Sequence, residues 1–171
     1  MTTMSTFHNV QEAGSRRSLL WRRLGVGALT VLVAAGLFGL LGDQTAVVEA
    51  RSGDSLHLRV TYASSARPGQ DVPFEIEVSD PAGLAPQITL ALTADYLDIY
   101  ETQGWYPATT DETRDDEWLY LTFATQEQPT MTVGFDAYIQ PNSVRGRQGQ
   151  VAVVVDGVPR DPVSFRTQLF P

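Results

Sequence analysis

The sequence predicts an all-β domain, a two-sheet β-sandwich of seven or eight strands, preceded by one N-terminal transmembrane helix. Three observations predict it. Residues Leu24 to Gly42 read LGVGALTVLVAAGLFGLLG and carry no charge. From Leu56 onward, apolar and polar residues alternate with a period of two. Clusters of Gly, Pro, Asn and Asp separate the alternating runs. An eight-stranded barrel is the alternative closure of the same strands.

In chain order, a basic tail (residues 1–23) comes first, with Arg16, Arg17, Arg22 and Arg23 against Glu12 alone. The apolar run 24–42 follows, and its length of roughly 28 Å as a helix matches the hydrocarbon core of a bilayer. Its Leu, Val and Phe residues favour insertion and no charge opposes it. The arginines before it, with Asp43 and Glu49 after it, place the N-terminus in the cytoplasm and the remainder outside. Ala35 and Gly39 form a small-xxx-small pair of the kind that lets another helix approach. Ser15-Arg16-Arg17-Ser18-Leu19-Leu20 resembles a twin-arginine export signal. The long apolar run, and a nearest loose A-x-A match that ends as late as Ala50, favour a retained anchor over a cleaved signal. Residues 43–55 read as a linker and 56–171 as the extracytoplasmic domain.

The strands are then justified one by one. Leu56–Tyr62 and Val72–Val78 alternate without a break, the second with Glu75 and Glu77 on its wet face. Pro73 cannot donate to a ladder, so its strand lies at an edge or begins there. Ile88, Leu90 and Leu92 form a third run, followed at Thr93–Thr102 by a segment with a helical turn at Ala94–Leu97. Trp118–Phe123 is apolar on both faces. Met131, Val133, Phe135, Ala137 and Ile139 share one face of Thr130–Gln140. Val151–Val155 and Val163–Leu169 complete the set, and Asp156-Gly157 favours a tight hairpin turn. Phe74, Trp118, Phe123, Phe135 and Phe165 are the expected large core residues, each contributing roughly 1.5–3 kcal/mol on burial.

Composition excludes several classes of function. The chain has no Cys, which removes disulfides, thiolate metal sites and a cysteine nucleophile. It has two His, His8 and His57, leaving little material for histidine-based catalysis. Residues 43–171 hold eight Arg against 19 acidic residues. A nucleic-acid partner requires the opposite balance, so none is expected. No phosphate-binding glycine loop or cofactor fingerprint is present, and no cofactor is expected.

A set of spacings and turn motifs carries a resemblance. Phe38-Gly39-Leu40-Leu41-Gly42 with Gln44-Thr45-Ala46 closes the apolar run. Leu58-Arg59-Val60-Thr61-Tyr62 with Arg67-Pro68-Gly69 opens the domain. Asp95-Tyr96-Leu97-Asp98, Gly104-Trp105-Tyr106-Pro107, Phe135-Asp136-Ala137-Tyr138-Ile139-Gln140-Pro141, Ser164-Phe165-Arg166-Thr167 and the final Pro171 follow. Over about residues 36–171 the chain resembles an uncharacterised family of small actinobacterial single-pass membrane proteins with an extracytoplasmic immunoglobulin-like domain. The resemblance implies a cell-envelope location and a membrane-protein partner. It carries over no catalytic or binding residue.

The candidate site residues fall into three groups. Asp111, Glu112, Asp115, Asp116 and Glu117 concentrate carboxylates in one loop, a candidate calcium site, although the spacing is not that of an EF-hand. A solvated acidic loop accounts for the same residues. Trp105 and Tyr106, between Gly104 and Pro107, suit a partner contact, a sugar-stacking surface or a cap on the end of the sandwich. Arg145 and Arg147 suit lipid phosphates or an acidic partner, and equally an ordinary hairpin loop. His57 is expected to face outward, and no nucleophile motif accompanies it.

The function expected from these residues is that of a non-enzymatic accessory module of the cell envelope. The bilayer holds it through the helix, and it contacts a neighbouring membrane or envelope protein. A carbohydrate-binding or calcium-dependent adhesion module is the alternative. A third reading is a hydrolase working with a carboxylate pair, which needs a cleft beside Asp95, Asp98 or Asp136, although the sequence pairs no two specific carboxylates.

Overall fold

The computed structural model describes residues 16–37, 42–52, 55–101 and 104–170. The first fifteen residues, which hold most of the basic tail, lie outside that set, as do residues 38–41 of the apolar run and Gly39 of its small-residue pair. The chain divides into two units, Met1–Leu41 and Gly42–Pro171.

The first unit contains helix α1, Arg16–Leu37. It begins before the apolar run and takes in the arginines; Gly42, expected at its end, lies outside it. The stretch Ser18–Leu37 is 20 residues long with a mean hydropathy of 1.4, and none of its apolar window is buried. It is long and apolar enough for a membrane anchor or a signal sequence. Its one hydroxyl is satisfied internally, because Thr30 Oγ1 donates to the Val26 carbonyl at 2.9 Å. That is the arrangement a hydroxyl needs where water is absent.

The second unit is the predicted sandwich. Its strands are β1 (Gln44–Ser52), β2 (Leu56–Ala66), β3 (Asp71–Val72), β4 (Phe74–Ser79), β5 (Gln87–Thr93), β6 (Tyr100–Glu101), β7 (Trp105–Tyr106), β8 (Asp111–Arg114), β9 (Trp118–Ala124), β10 (Thr130–Phe135), β11 (Ala137–Ile139), β12 (Gln148–Val155), β13 (Val158–Arg166) and β14 (Gln168–Leu169). One sheet runs β1-β2-β4-β10-β7, with β14 joining β2 in parallel. The facing sheet runs β13-β12-β5-β9-β8, and a small sheet β3-β11-β6 lies at one end. Val60, Ile76 and Val133 from the first sheet meet Leu90, Leu121 and Val151 from the second in one apolar core.

Three expectations are corrected. Residues 43–55 are not a linker: Gln44–Ser52 pairs antiparallel with β2 along its whole length. Ala46, Val48 and Ala50 pack on the core while Val47, Glu49 and Arg51 face out. The acidic loop is partly a strand, β8, paired with β9 from Asp111↔Thr122 to Arg114↔Leu119. Trp118 is half-buried rather than core, because the strand keeps Leu119, Leu121 and Phe123 inside and turns Trp118 and Tyr120 to the rim. With β1, β8 and several two-residue strands added, the sandwich has more segments than seven or eight.

Two irregularities shape the strands, the first expected from Pro73 and the second not. Pro73 sits between β3 and β4, so β4 begins after it and lies centrally rather than at an edge. On the neighbouring strand, Asp136 interrupts the run 130–140, and β11 leaves β10's partner to pair with β3. The inward alternation from Met131 to Ile139 survives the break.

A chain of hydroxyls crosses the core. Tyr96, on the 3₁₀ helix Ala94–Ile99, is fully buried. Its hydroxyl lies 2.8 Å from those of both Tyr100 and Thr167. Thr167 Oγ1 donates to the Ala63 carbonyl at 2.7 Å. Each hydroxyl has one proton, so the order is fixed: Tyr100 donates to Tyr96, Tyr96 to Thr167, and Thr167 to Ala63. Burial pushes the Tyr96 phenol well above its usual value, and the neighbouring Tyr100 adds to the rise. Burial also raises Tyr100, against a lowering hydrogen bond with Tyr96. Gly149 makes room for this cluster: a Cβ there would lie 2.8 Å from the Phe165 and Tyr96 rings.

Two outcomes follow. Val48→Asp destabilises the domain by roughly 1–3 kcal/mol in urea titration while Val47→Asp changes it by about 0.5 kcal/mol or less; equal, small effects would show that 44–52 is not part of the sheet. The raised phenols also set an alkaline limit. Their contribution is complete below the unfolded value of 10.0 and is lost as pH rises from there toward the folded values. The decline is at most about 1.4 kcal/mol per pH unit for the first tyrosine to ionise, read by denaturation midpoints at increasing pH.

Candidate functional site

The sandwich has two unlike margins. At one, β1 packs beside β13. At the other, the sheets end in β7 and β8, and the space between them is a cavity of about 650 Å³. Its apolar lining comes from Leu97, Tyr100, Trp105, Leu119 and Phe135; its polar lining includes Asp98, Glu112, Arg114 and Gln140. The register explains the polar wall. Glu112 and Arg114 oppose Leu121 and Leu119 and so share their inward face, at the edge where the core has ended. A second, more open depression of about 500 Å³ lies on the other side of β7, lined by Glu75, Trp105, Tyr106, Gly134 and Asp136 among others.

Trp105 and Tyr106 take opposite faces, as consecutive strand residues must. Trp105 turns inward, its ring centroid 4.6 Å from Phe135 and 6.3 Å from Phe74. It caps the end of the aromatic core and lines both depressions. Tyr106 is 84% exposed. The sequence pair therefore splits into one anchoring ring and one presented ring.

The five carboxylates of the acidic segment are not gathered. Asp111 faces out and Glu112 in, by strand alternation. Asp115 is occupied in closing the β8–β9 hairpin: its carboxylate accepts from the backbone N–H of Glu117 at 2.8 Å and of Trp118 at 2.6 Å, and from the Tyr120 hydroxyl at 2.9 Å. Those backbone donors, then the phenol, hold Asp115 below the usual carboxylate range. Asp116 and Glu117 form the exposed turn. Among the described residues no three metal-ligating side chains converge on a cation position. The candidate calcium group is thus dispersed: β8 divides its members between two faces, and Asp115 already accepts three hydrogen bonds.

The arginines also divide. Arg147 Nη2 lies 3.6 Å from Asp98 Oδ2, and Arg114 lies 3.9 Å from Asp95. These half-exposed pairs are worth about 0–1 kcal/mol each. Arg145 is exposed and has no hydrogen-bonding or ionic partner among the described residues. Carboxylates do line the two depressions, Asp98 with Glu112 and Glu75 with Asp136, so clefts exist beside Asp98 and Asp136. None of the four hydrogen-bonds to another carboxyl among the described residues. His57 is half-buried in the β2 ladder beside Glu49, Arg59 and Glu77. Ser55 instead donates to Asp80 at 2.8 Å and Ser64 to the Gln44 carbonyl at 3.1 Å. Reasoning from sequence missed Tyr100, Leu97 and Gln140, which wall the open margin. Tyr96 and Tyr100 at a spacing of four within a helical turn were the available signal.

No protein-family model and no curated protein matches the chain. Two measurements check the acidic segment. Addition of calcium leaves the melting temperature unchanged, because the carboxylates of the acidic segment do not converge on one cation position. Asp115→Ala speeds amide exchange at Glu117 and Trp118 while exchange in β5 stays as it was.

Proposed function

We propose that the chain is a membrane-anchored, extracytoplasmic, non-enzymatic interaction module of the bacterial cell envelope, with the open margin between β7 and β8 as its contact surface. The observation that carries the reading is the unlike pair of margins. At the closed one the edge strands β1 and β13 pack against each other. The open one presents aromatic side chains, an exposed Tyr106 and the unpaired edge of β8. An edge strand with free backbone groups, next to an aromatic-lined depression, is what strand addition by a partner uses. The charges on β8 prevent the same edge from pairing indiscriminately.

Anchoring supplies the rest of the reading. The helix supports a bilayer anchor by length, by apolar character and by the arginines that precede and begin it. A module held by the bilayer meets partners that are themselves integral or closely membrane-bound. Tethering raises the effective concentration of the module for such a partner. The likeness to small actinobacterial envelope proteins with an immunoglobulin-like domain belongs to this proposal too.

In-membrane cross-linking from residue 106, followed by identification of the captured protein, tests the function. The expected result is one reproducible partner, with capture reduced about tenfold by Trp105→Ala, on the scale of an aromatic hot spot. Recovery of the uncoupled chain alone overturns the reading.

A further inference from the structure

The end of the sandwich where the chain enters is built differently from its other surfaces. Gln44 pairs with Ser65, and Ser65 pairs on its other side with Gln168. Two strand spacings, about 10 Å, therefore separate Gln44 from β14. Beyond β14, the Phe170 N–H donates to the Ala66 carbonyl at 3.0 Å, which places Phe170 beside Arg67. Thr167 N–H donates to the Arg147 carbonyl at 3.0 Å, bringing the loop 141–147 to the same rim. That loop is pinned. Ser143 Oγ donates to the Ile99 carbonyl at 3.3 Å. Gly146 sits so close to the strand after β13 that a Cβ there would overlap the Thr167 carbonyl oxygen.

A loop fastened at both shoulders nevertheless points Val144 into solvent, 81% exposed, and Phe170 beside β14 is 50% exposed. Arg67 and Arg145 flank them, exposed, with no ionic partner among the described residues. In a domain with 19 acidic residues and eight arginines, two arginines left unpaired next to two presented apolar side chains are an unusual grouping. The acids nearby are Asp71, exposed on β3, Asp98, paired with Arg147, and Asp43, engaged by the Gln70 side-chain amide at 2.9 and 3.1 Å in the amide orientation that satisfies both groups.

We propose that this rim rests on the headgroup surface of the bilayer, with Val144 and Phe170 entering the interfacial zone and Arg67 and Arg145 meeting lipid phosphates. The inference depends on the anchored reading above. Two observations favour lipid as the occupant. The rim is the end of the domain at which the chain enters after the apolar helix. Its chemistry, apolar tips bracketed by guanidinium groups, complements an anionic interface. The rim thereby fixes which way the open β7–β8 margin faces.

The test uses the full-length chain in phosphatidylcholine vesicles containing phosphatidylglycerol. The absence of cysteine allows single labels at Val144→Cys and, as reference, Thr130→Cys. Thr130 is exposed and pairs with Ser79 at the opposite end of the sheet, about 25 Å along the strands from Gln44. Flotation after alkaline extraction reports the helix; quenching of an environment-sensitive label by doxyl lipids reports the rim. The expected result is flotation, with quenching at position 144 and little at 130. Arg67→Glu combined with Arg145→Glu lowers the docked-to-undocked ratio by roughly fivefold per arginine, and so lowers quenching at 144. Flotation with equal quenching at the two positions overturns the rim proposal alone, and means that water or a protein occupies that end. Failure to float overturns the anchored reading, and the rim proposal with it.

Discussion

The hydroxyl chain from Tyr100 through Tyr96 and Thr167 to the Ala63 carbonyl holds together parts of the sandwich that share no ladder. It joins the 3₁₀ turn after β5, the junction of β13 with β14, and the distal end of β2. The domain has no disulfide, so this ordered polar link stands where another sandwich uses a covalent one. It also explains the small residue at 149 and the packing of Phe165, whose ring centroid is 4.9 Å from that of Tyr96. The 3₁₀ turn it holds supplies Leu97 and Asp98 to the open margin, and Tyr100 follows directly, so the geometry of the candidate site derives from the core beneath it.

Much of this architecture was legible in the sequence. Period-two alternation located β2, β4, β5 and β10, a β-branched run located β12, and Asp156-Gly157 marked the β12–β13 hairpin correctly. What escaped was strand character without bulk. In β1 the inward residues are Ala46, Val48 and Ala50, and two small alanines carry too weak an apolar signal to stand out from a linker. In β8 no residue is apolar at all, because an edge strand beyond the core has nothing to bury there. Both strands are fixed by their neighbours' hydrogen-bonding edges, which a single segment of sequence does not display.

The site was legible in part for the same reason. Trp105 and Tyr106 were singled out together, but alternation assigns them different tasks, one to the core and one to the surface. Five nearby carboxylates suggested a shared ligand, yet a strand distributes consecutive side chains to opposite faces, and a hairpin turn consumed Asp115. Arg145 and Arg147 were paired by sequence proximity, whereas Asp98 takes one and leaves the other unpartnered. In each case the structure separates the roles of residues that are neighbours in the chain.

The Thr167–Ala63 bond joins residues 104 apart in the chain. A fold closed by so distant a contact is dominated by non-local pairing, and such topologies reach the native state slowly. The hydroxyl link that Thr167 completes waits until nearly the whole domain has been synthesised, so the earlier ladders and the apolar core form before their polar tie can close.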